Sequence, residues 1–157
     1  MKLKVNKRNV GLRIRQIRNS LNLTLEEFGK IFSSDVNNKL NAGKSNVSTW
    51  ERGDSLPNRS RLEVIAKKGN MTVNELLYGS IDEFLDNNLV SILEYQTGNK
   101  VSSNEEYSIA RLQFKKWLED RNITLENIHY IYDYIDQNNA SWNPWSVDAD
   151  YLKTMEN

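Results

Sequence analysis

The chain has 157 residues, which allows one domain or two small ones, and its composition includes no cysteine and a single histidine. Disulfides, thiolate metal sites and cysteine nucleophiles are thereby excluded, and histidine metal sites and Ser-His triads are disfavoured. The formal net charge is zero, but residues 1–70 hold 15 Lys and Arg against 6 Asp and Glu while residues 71–157 hold 6 against 15, an asymmetry typical of a nucleic-acid-binding module joined to an acidic region of another function.

Membrane insertion and catalysis have little support in the sequence. No apolar run approaches the roughly 20 residues of a membrane span, and the N-terminus lacks the apolar core of a signal peptide. A soluble, cytoplasmic protein is therefore expected. No nucleophile, metal cluster or phosphate-binding loop is recognisable, so neither enzyme activity nor a cofactor is expected.

The first predicted elements are a basic arm, residues 1–8, and a helix. The arm either follows DNA phosphates or a minor groove, with Lys7 and Arg8 as the contacts, or is a frayed terminus with solvated charges. The helix is expected to have Asn9 as its N-cap and to end near Leu21. Its apolar stripe consists of Val10, Ile14 and Ile17.

The second predicted helix starts at Thr24, where Glu27 three residues later completes a capping box. It is expected to run to Phe32. The Ser- and Asn-rich segment 33–42 that follows reads as a loop. This loop either bulges into solvent or extends a nucleic-acid contact through Lys39.

The third predicted helix lies within residues 43–53, where Val47 and Trp50 form an apolar stripe. A helix this short requires support from other helices. The polar residues of its other faces carry hydroxyl, amide and cationic groups with no acid among them, which suits the base edges of a major groove; the alternative is an ordinary solvated face. These polar residues are Lys44, Ser45, Asn46, Thr49 and Arg52.

Two more short helices complete the basic half. Gly53 is expected in the left-handed conformation that ends a helix. Asn58 or Ser60 then caps a helix from about Arg61 to Lys67, and Arg59 and Arg61 near its start are candidate phosphate contacts. A fifth helix, capped by Thr72, ends at Tyr78 and Gly79.

Four motifs in this order resemble the helix-turn-helix domain of Cro/C1-type phage repressors, the Xre family. The motifs are residues 24–32, residues 46–53, Leu56-Pro57 with Leu62 and Ile65-Ala66, and residues 73–79. The resemblance runs from about Val10 to Gly79, half of the chain. It implies a five-helix, lambda-repressor-like domain that binds double-stranded DNA.

The resemblance also implies roles for individual residues. Arg18 and Glu51 occupy the places of a structural ion pair between the first and third helices. Leu25 replaces a glutamine that often touches the DNA backbone, and the 33–45 region holds about eight residues more than the usual spacing. The base contacts carried over are Lys44, Ser45, Asn46 and Thr49, and the expected phosphate contacts are Lys7, Arg8, Arg52 and Arg59.

The acidic half is predicted to be helical as well, with stripes over about 81–95 and 104–121 and a last helix capped by Thr124. These helices are too few to bury their stripes comfortably alone, so self-association is expected. The Trp142–Trp145 segment is either a partner anchor or a tail folded onto the core. His129 and the acid pairs Glu105-Glu106 and Asp148 with Asp150 are assigned no role.

The sequence therefore predicts an all-α protein with a DNA-binding domain over 1–79 and a smaller acidic region over 80–157. The expected function is that of a transcriptional regulator, most specifically a phage-type repressor, acting as a homodimer through residues 80–157. The alternative is an antitoxin whose acidic half binds a protein partner while the basic half autoregulates its operon. Co-purification of a second small protein would favour this alternative.

Overall fold

The computed structural model describes residues 2–32 and 41–137, and within these ranges the chain is helical with no strand. The all-α prediction is thus confirmed. None of the described helices is long and apolar enough to cross a membrane. The helices are α1 Lys7–Ser20, α2 Leu25–Gly29, α3 Lys44–Arg52, α4 Arg59–Lys68, α5 Val73–Tyr78, α6 Ile81–Thr97, α7 Asn104–Asp120 and α8 Ile131–Gln137, the last preceded by a 3-10 turn, Ile128–Tyr130.

Local capping explains where several helices begin. Thr24 and Thr72 form the capping boxes of α2 and α5. In each box the threonine hydroxyl accepts a hydrogen bond from the amide of the third helical residue, a glutamate, and the carboxylate of that glutamate accepts one from the threonine amide. Asn58 caps α4 by accepting from the amide of Arg61 at 3.0 Å. That helix therefore begins at Arg59, two residues before the predicted start.

The start of α1 corrects the prediction that Asn9 is its N-cap. Asn6 is the N-cap, and its side chain accepts from the amide of Asn9 at 3.1 Å. The Asn9 side chain instead donates to Glu83 at 2.9 Å. Lys7 and Arg8 consequently belong to the first turn of a helix and are not part of an extended arm.

Two other helix limits differ from the prediction. Helix α2 ends at Gly29 and does not reach Phe32. The carbonyl of Gly29 accepts a hydrogen bond from the amide of Ala42, a residue later in the chain, at 2.9 Å. After Thr124 the chain forms turns, and the last α-helix begins only at Ile131. In this turn the Thr124 amide is bound by the side chain of Asn127 at 2.8 Å.

The described residues divide into two compact units: those within 4–84, and residues 85–137 together with residues 2 and 3. The division lies inside α6, whereas the sequence placed the domain boundary at Gly79. In the first unit, α1 packs on α3 and α5, α2 on α3, and α4 on α5. Its largest core side chains include Ile14, Phe28, Phe32, Trp50, Ile65 and Leu76. In the second unit the buried side chains include Leu89, Ile92, Phe114, Trp117 and Ile131.

The first turn of α6 is tied to α1 by a polar cluster within the first unit. Glu83 accepts from Asn9 at 2.9 Å and from Arg13 at 2.8 Å, one turn apart on α1. Arg13 also donates to the carbonyls of Leu76 and Leu77 at the end of α5, at 2.8 and 3.2 Å. One arginine thus satisfies carbonyls that α5 leaves unpaired at its end and joins three helices.

Gly11 allows α1 and α3 to approach closely. A Cβ atom at this position would lie 2.5 Å from the carbonyl oxygen of Trp50 and 2.6 Å from that of Glu51. We expect Gly11→Ala to lower the free energy of unfolding by about 2 kcal/mol, because the backbones must separate despite the better helix propensity of alanine. Urea unfolding followed by circular dichroism measures this loss.

The matched control for Gly11→Ala is Gln16→Ala, an exposed position on the same helix. Its stability should stay within about 0.5 kcal/mol of the wild type. If Gly11→Ala were as stable as the control, the close contact between α1 and the last turn of α3 would be wrong.

Candidate nucleic-acid interface

Helix α3 is held in place through its apolar side. Val47 is fully buried and Trp50 is 4% exposed. The rings of Trp50 and Phe32 pack edge to face with 6.0 Å between centroids, and the guanidinium carbon of Arg61 lies over the Trp50 ring, 5.4 Å from its centroid. Arg61 also donates to the carbonyl of Asn41 at 3.0 Å. Arg61, which the sequence had offered as a phosphate candidate beside Arg59, is thus engaged in supporting α3.

An ion pair fixes the rotation of α3 against α1. Arg18 Nε lies 2.5 Å from Glu51 Oε1, and Arg18 Nη2 lies 3.1 Å from Oε2. The two side chains are only 14% and 9% exposed. Arg18 Nη1 donates to the carbonyl of Leu23 at 2.8 Å, and the hydrogen bond to Glu51 raises the pKa of Arg18 above its usual value. The structure therefore contains the pair that the resemblance implied, and it serves packing.

The opposite side of α3 is open to solvent. Lys44, Ser45 and Asn46 are exposed, and Thr49 is half-buried. The Thr49 hydroxyl donates to the carbonyl of Ser45 at 2.7 Å, so its oxygen retains lone pairs for accepting. Because Gly43 caps the helix without a side-chain hydrogen bond, the start of α3 is also open. The structure thus places the four predicted base-facing residues on the exposed part of one helix.

Ser48 belongs to the same exposed side and was missed by the sequence analysis. It lies one helical turn after Lys44 and one turn before Arg52, and its hydroxyl accepts from Arg52 Nη1 at 2.6 Å. The i, i+4, i+8 spacing of Lys44, Ser48 and Arg52 places the three side chains on one side of the helix, and this spacing could have identified Ser48 from the sequence. Arg52 Nε donates in addition to Asp54 at 2.8 Å.

Three helices begin with basic side chains. Helix α1 starts with Lys7 and Arg8, α3 with Lys44 and α4 with Arg59, and none of the three has an acid in its first turn. In contrast, α2, α5, α6 and α7 all start with acids. A cation near a helix N-terminus opposes the helix dipole and costs about 0.3–1 kcal/mol. These three starts therefore carry charges that the fold itself does not need.

The start of α1 adjoins the end of α3. A Cβ atom at Gly53, which has a φ of +79°, would lie 2.7 Å from the Cα of Arg8 and 2.9 Å from the carbonyl carbon of Lys7. Lys7 and Arg8 are exposed, and neither makes a side-chain hydrogen bond or ion pair to the described part of the chain. Arg59 is also exposed but pairs with Glu63 at 3.0 Å.

Other predicted features lie outside this surface or outside the described residues. Most of the 33–45 region, Trp142–Trp145, Asp148 and Asp150 fall in the parts that the structure does not describe. The His129 ring lies against the ring of Tyr130 in the 3-10 turn, tilted by 45° with 3.9 Å between centroids. Within residues 2–32 and 41–137 no group of three or more metal-ligating side chains occurs.

Comparisons with protein-family models, with curated proteins and with solved structures find no match to the chain. The functional interpretation therefore depends on the residues and geometry of α3 and its neighbours.

Proposed function

We propose that the protein is a sequence-specific regulator of transcription, most specifically a repressor, that binds double-stranded DNA through α3. The observation that carries this proposal is the two-sided construction of α3. One side is locked by Val47, Trp50 and the Arg18–Glu51 pair, and the other presents Lys44, Ser45 and Asn46 to solvent. A rigid helix with donors and acceptors on its free side is suited to a major groove.

The basic helix starts support the same proposal. Lys7 and Arg8 adjoin the end of α3, so a phosphate beside the groove would meet two cations and the positive end of the α1 dipole. Contacts to phosphates position a protein on DNA, whereas contacts to base edges specify the sequence. The stability that these cations cost the free protein is thus recovered on binding a polyanion.

We further propose that the protein acts as a homodimer through residues 80–157, in the cytoplasm and without a cofactor or any chemical step. One helix reads only a few base pairs, since a good base contact discriminates by about 1–3 kcal/mol. Two copies reading half-sites about 34 Å apart would double this discrimination. Repression then follows from occupancy of a promoter.

Selection from a randomised double-stranded DNA library by the full chain tests the proposal. We expect enrichment of a short palindromic motif, and light scattering at micromolar concentration should give the mass of a dimer. Retention of DNA without an enriched motif would reduce the protein to a non-specific binder. A failure to retain DNA at low salt would refute the proposal.

We expect Lys7→Ala to lower the salt slope of DNA binding by about one unit, because one phosphate contact releases about one counterion. The decrease should occur on every sequence, since phosphate contacts carry no sequence information. Binding titrations at several salt concentrations measure it. Lys100→Ala is the control, an exposed lysine of the second unit, whose slope should equal that of the wild type. An unchanged slope for Lys7→Ala would remove Lys7 from the interface.

A second candidate function, binding of a basic protein partner as in antitoxins, has one observation in its favour. A cleft of the second unit is lined by Tyr130, Asp133, Tyr134 and Asp136. Tyr95 donates to the Asp136 carboxylate at 3.0 and 3.1 Å, which raises the pKa of Tyr95. Carboxylates beside aromatic rings suit a Lys or Arg side chain. A second protein that co-purifies with the chain and is lost from Asp133→Asn/Asp136→Asn would support this function.

A further inference from the structure

Arg52 lies on the part of α3 that faces the groove in the proposed function. It follows Ser45 by seven residues and Thr49 by three, which places all three side chains on one stripe of the helix. Arginine side chains on helices lean toward the N-terminus. The hydrogen bond from Arg52 Nη1 to Ser48, one turn back, shows this direction in the structure, at 2.6 Å.

Two hydrogen bonds, from Nε and Nη1, hold the Arg52 guanidinium in place. Nε donates to Asp54 at 2.8 Å and Nη1 to Ser48 at 2.6 Å, while Nη2 has no partner among the described residues. Of the five guanidinium N–H groups, one on Nη1 and both on Nη2 therefore stay available. Nη1 and Nη2 together can bind two acceptors side by side.

The carboxylate of Asp54 makes a phosphate an unfavourable partner for Arg52. A phosphate on the guanidinium would come within a few ångströms of Asp54, and two anions at that distance repel each other. The O6 and N7 atoms of guanine are neutral acceptors in the bidentate arrangement that arginine matches. Lys7 and Arg8 form no ion pair with an acid among the described residues and remain the better phosphate contacts.

We propose that Arg52 reads a guanine in the major groove and that Ser48 and Asp54 are its positioning residues. This replaces the phosphate contact expected for Arg52 from the sequence. The proposal rests on the proposed DNA-binding function and adds one base of the operator to it. It also gives Asp54 a role that opposes overall affinity, since its charge weakens binding to any DNA while it sharpens the preference for one base.

Library selection with the full-length wild type and with three variants, Arg52→Ala, Arg52→Gln and Asp54→Ala, tests this inference. In the wild-type motif we expect a guanine at one position of each half-site. Arg52→Ala should lower the preference for that guanine about tenfold and leave the rest of the motif intact. Arg52→Gln should shift the preference toward adenine, which glutamine binds through N6 and N7, a change that loss of folding cannot produce. Asp54→Ala should weaken the guanine preference while it raises affinity for unrelated DNA.

Lys30→Ala is the matched control, because Lys30 is likewise an exposed cation and is held by an acid, Glu26, through Nζ at 3.1 Å. It should leave every position of the motif unchanged. A uniform loss of affinity for Arg52→Ala with a salt slope lower by about one would show a phosphate contact and overturn the inference while leaving the proposed function in place. A motif that Arg52→Ala and Arg52→Gln leave unaltered overturns it as well. If the wild type selects no motif, the proposed function fails, and the inference fails with it.

Discussion

Glu51→Ala should lower the free energy of unfolding by about 3 kcal/mol, because it leaves the Arg18 guanidinium largely buried without its counter-charge. The side chains of the pair are 14% and 9% exposed and are joined by two hydrogen bonds. The expected value lies at the lower end of the range for buried pairs, since Arg18 keeps its hydrogen bond to Leu23. Chemical unfolding of the variant and the wild type under the same conditions measures the difference.

Two comparisons separate the buried pair from charge effects in general. Glu26→Ala breaks an exposed pair with Lys30, whose side chains are 67% and 64% exposed, and should change stability by less than about 1 kcal/mol. The double variant Arg18→Met/Glu51→Leu should be more stable than Glu51→Ala, because no charge is left alone. Equal losses for Glu51→Ala and Glu26→Ala would mean that the Arg18–Glu51 contact contributes little to the position of α3.

Thr49→Ala should weaken binding to the selected operator about tenfold per half-site and leave binding to a scrambled duplex of equal length nearly unchanged. The hydroxyl hydrogen of Thr49 is committed to the carbonyl of Ser45 at 2.7 Å. The side chain is therefore expected to accept from an adenine or cytosine amino group, or to touch a thymine methyl. Fluorescence anisotropy with both duplexes gives the two affinities.

Two conservative variants of Thr49 distinguish these contacts. Thr49→Ser keeps the hydroxyl and removes the methyl, whereas Thr49→Val keeps the shape and removes the acceptor. Loss of operator affinity in Thr49→Val alone would identify a hydrogen bond to a base amino group. Equal weakening of Thr49→Ala on both duplexes would instead argue against a base-facing position for Thr49.

The sequence predicted helix α3 at its observed bounds because all the determinants are local. Gly43 and Gly53 frame it, and Val47 and Trp50 mark its buried side. The predicted start of α1 and the predicted end of α2 were wrong because residues distant in the sequence decide them. Residues 6 and 9 are both asparagine, and the Asn9 amide side chain is taken by Glu83, 74 residues away.

The same distinction applies to the candidate site. Residue type, spacing and the family resemblance selected Lys44, Ser45, Asn46 and Thr49, of which the structure leaves the first three exposed and Thr49 half-buried. The ties of Arg52 to Ser48 and Asp54 were not predictable, because they depend on one rotamer among many for a long side chain. Helical periodicity predicts the direction of a Cβ atom, whereas the chemistry of Arg52 depends on the position of the guanidinium at the far end of its side chain.

The hydrogen bonds of Glu83 with Asn9 and Arg13 bear on where the first unit, for which we propose DNA binding, can be joined to another domain in a fusion protein. A junction at Gly79, where the sequence motifs end, would discard Glu83 and the fully buried Phe84. Asn9 and Arg13 would each lose a partner one or two turns from the cations at the start of α1. A chimera joined after Phe84 keeps these contacts, so the transferable module is longer than its recognisable motifs.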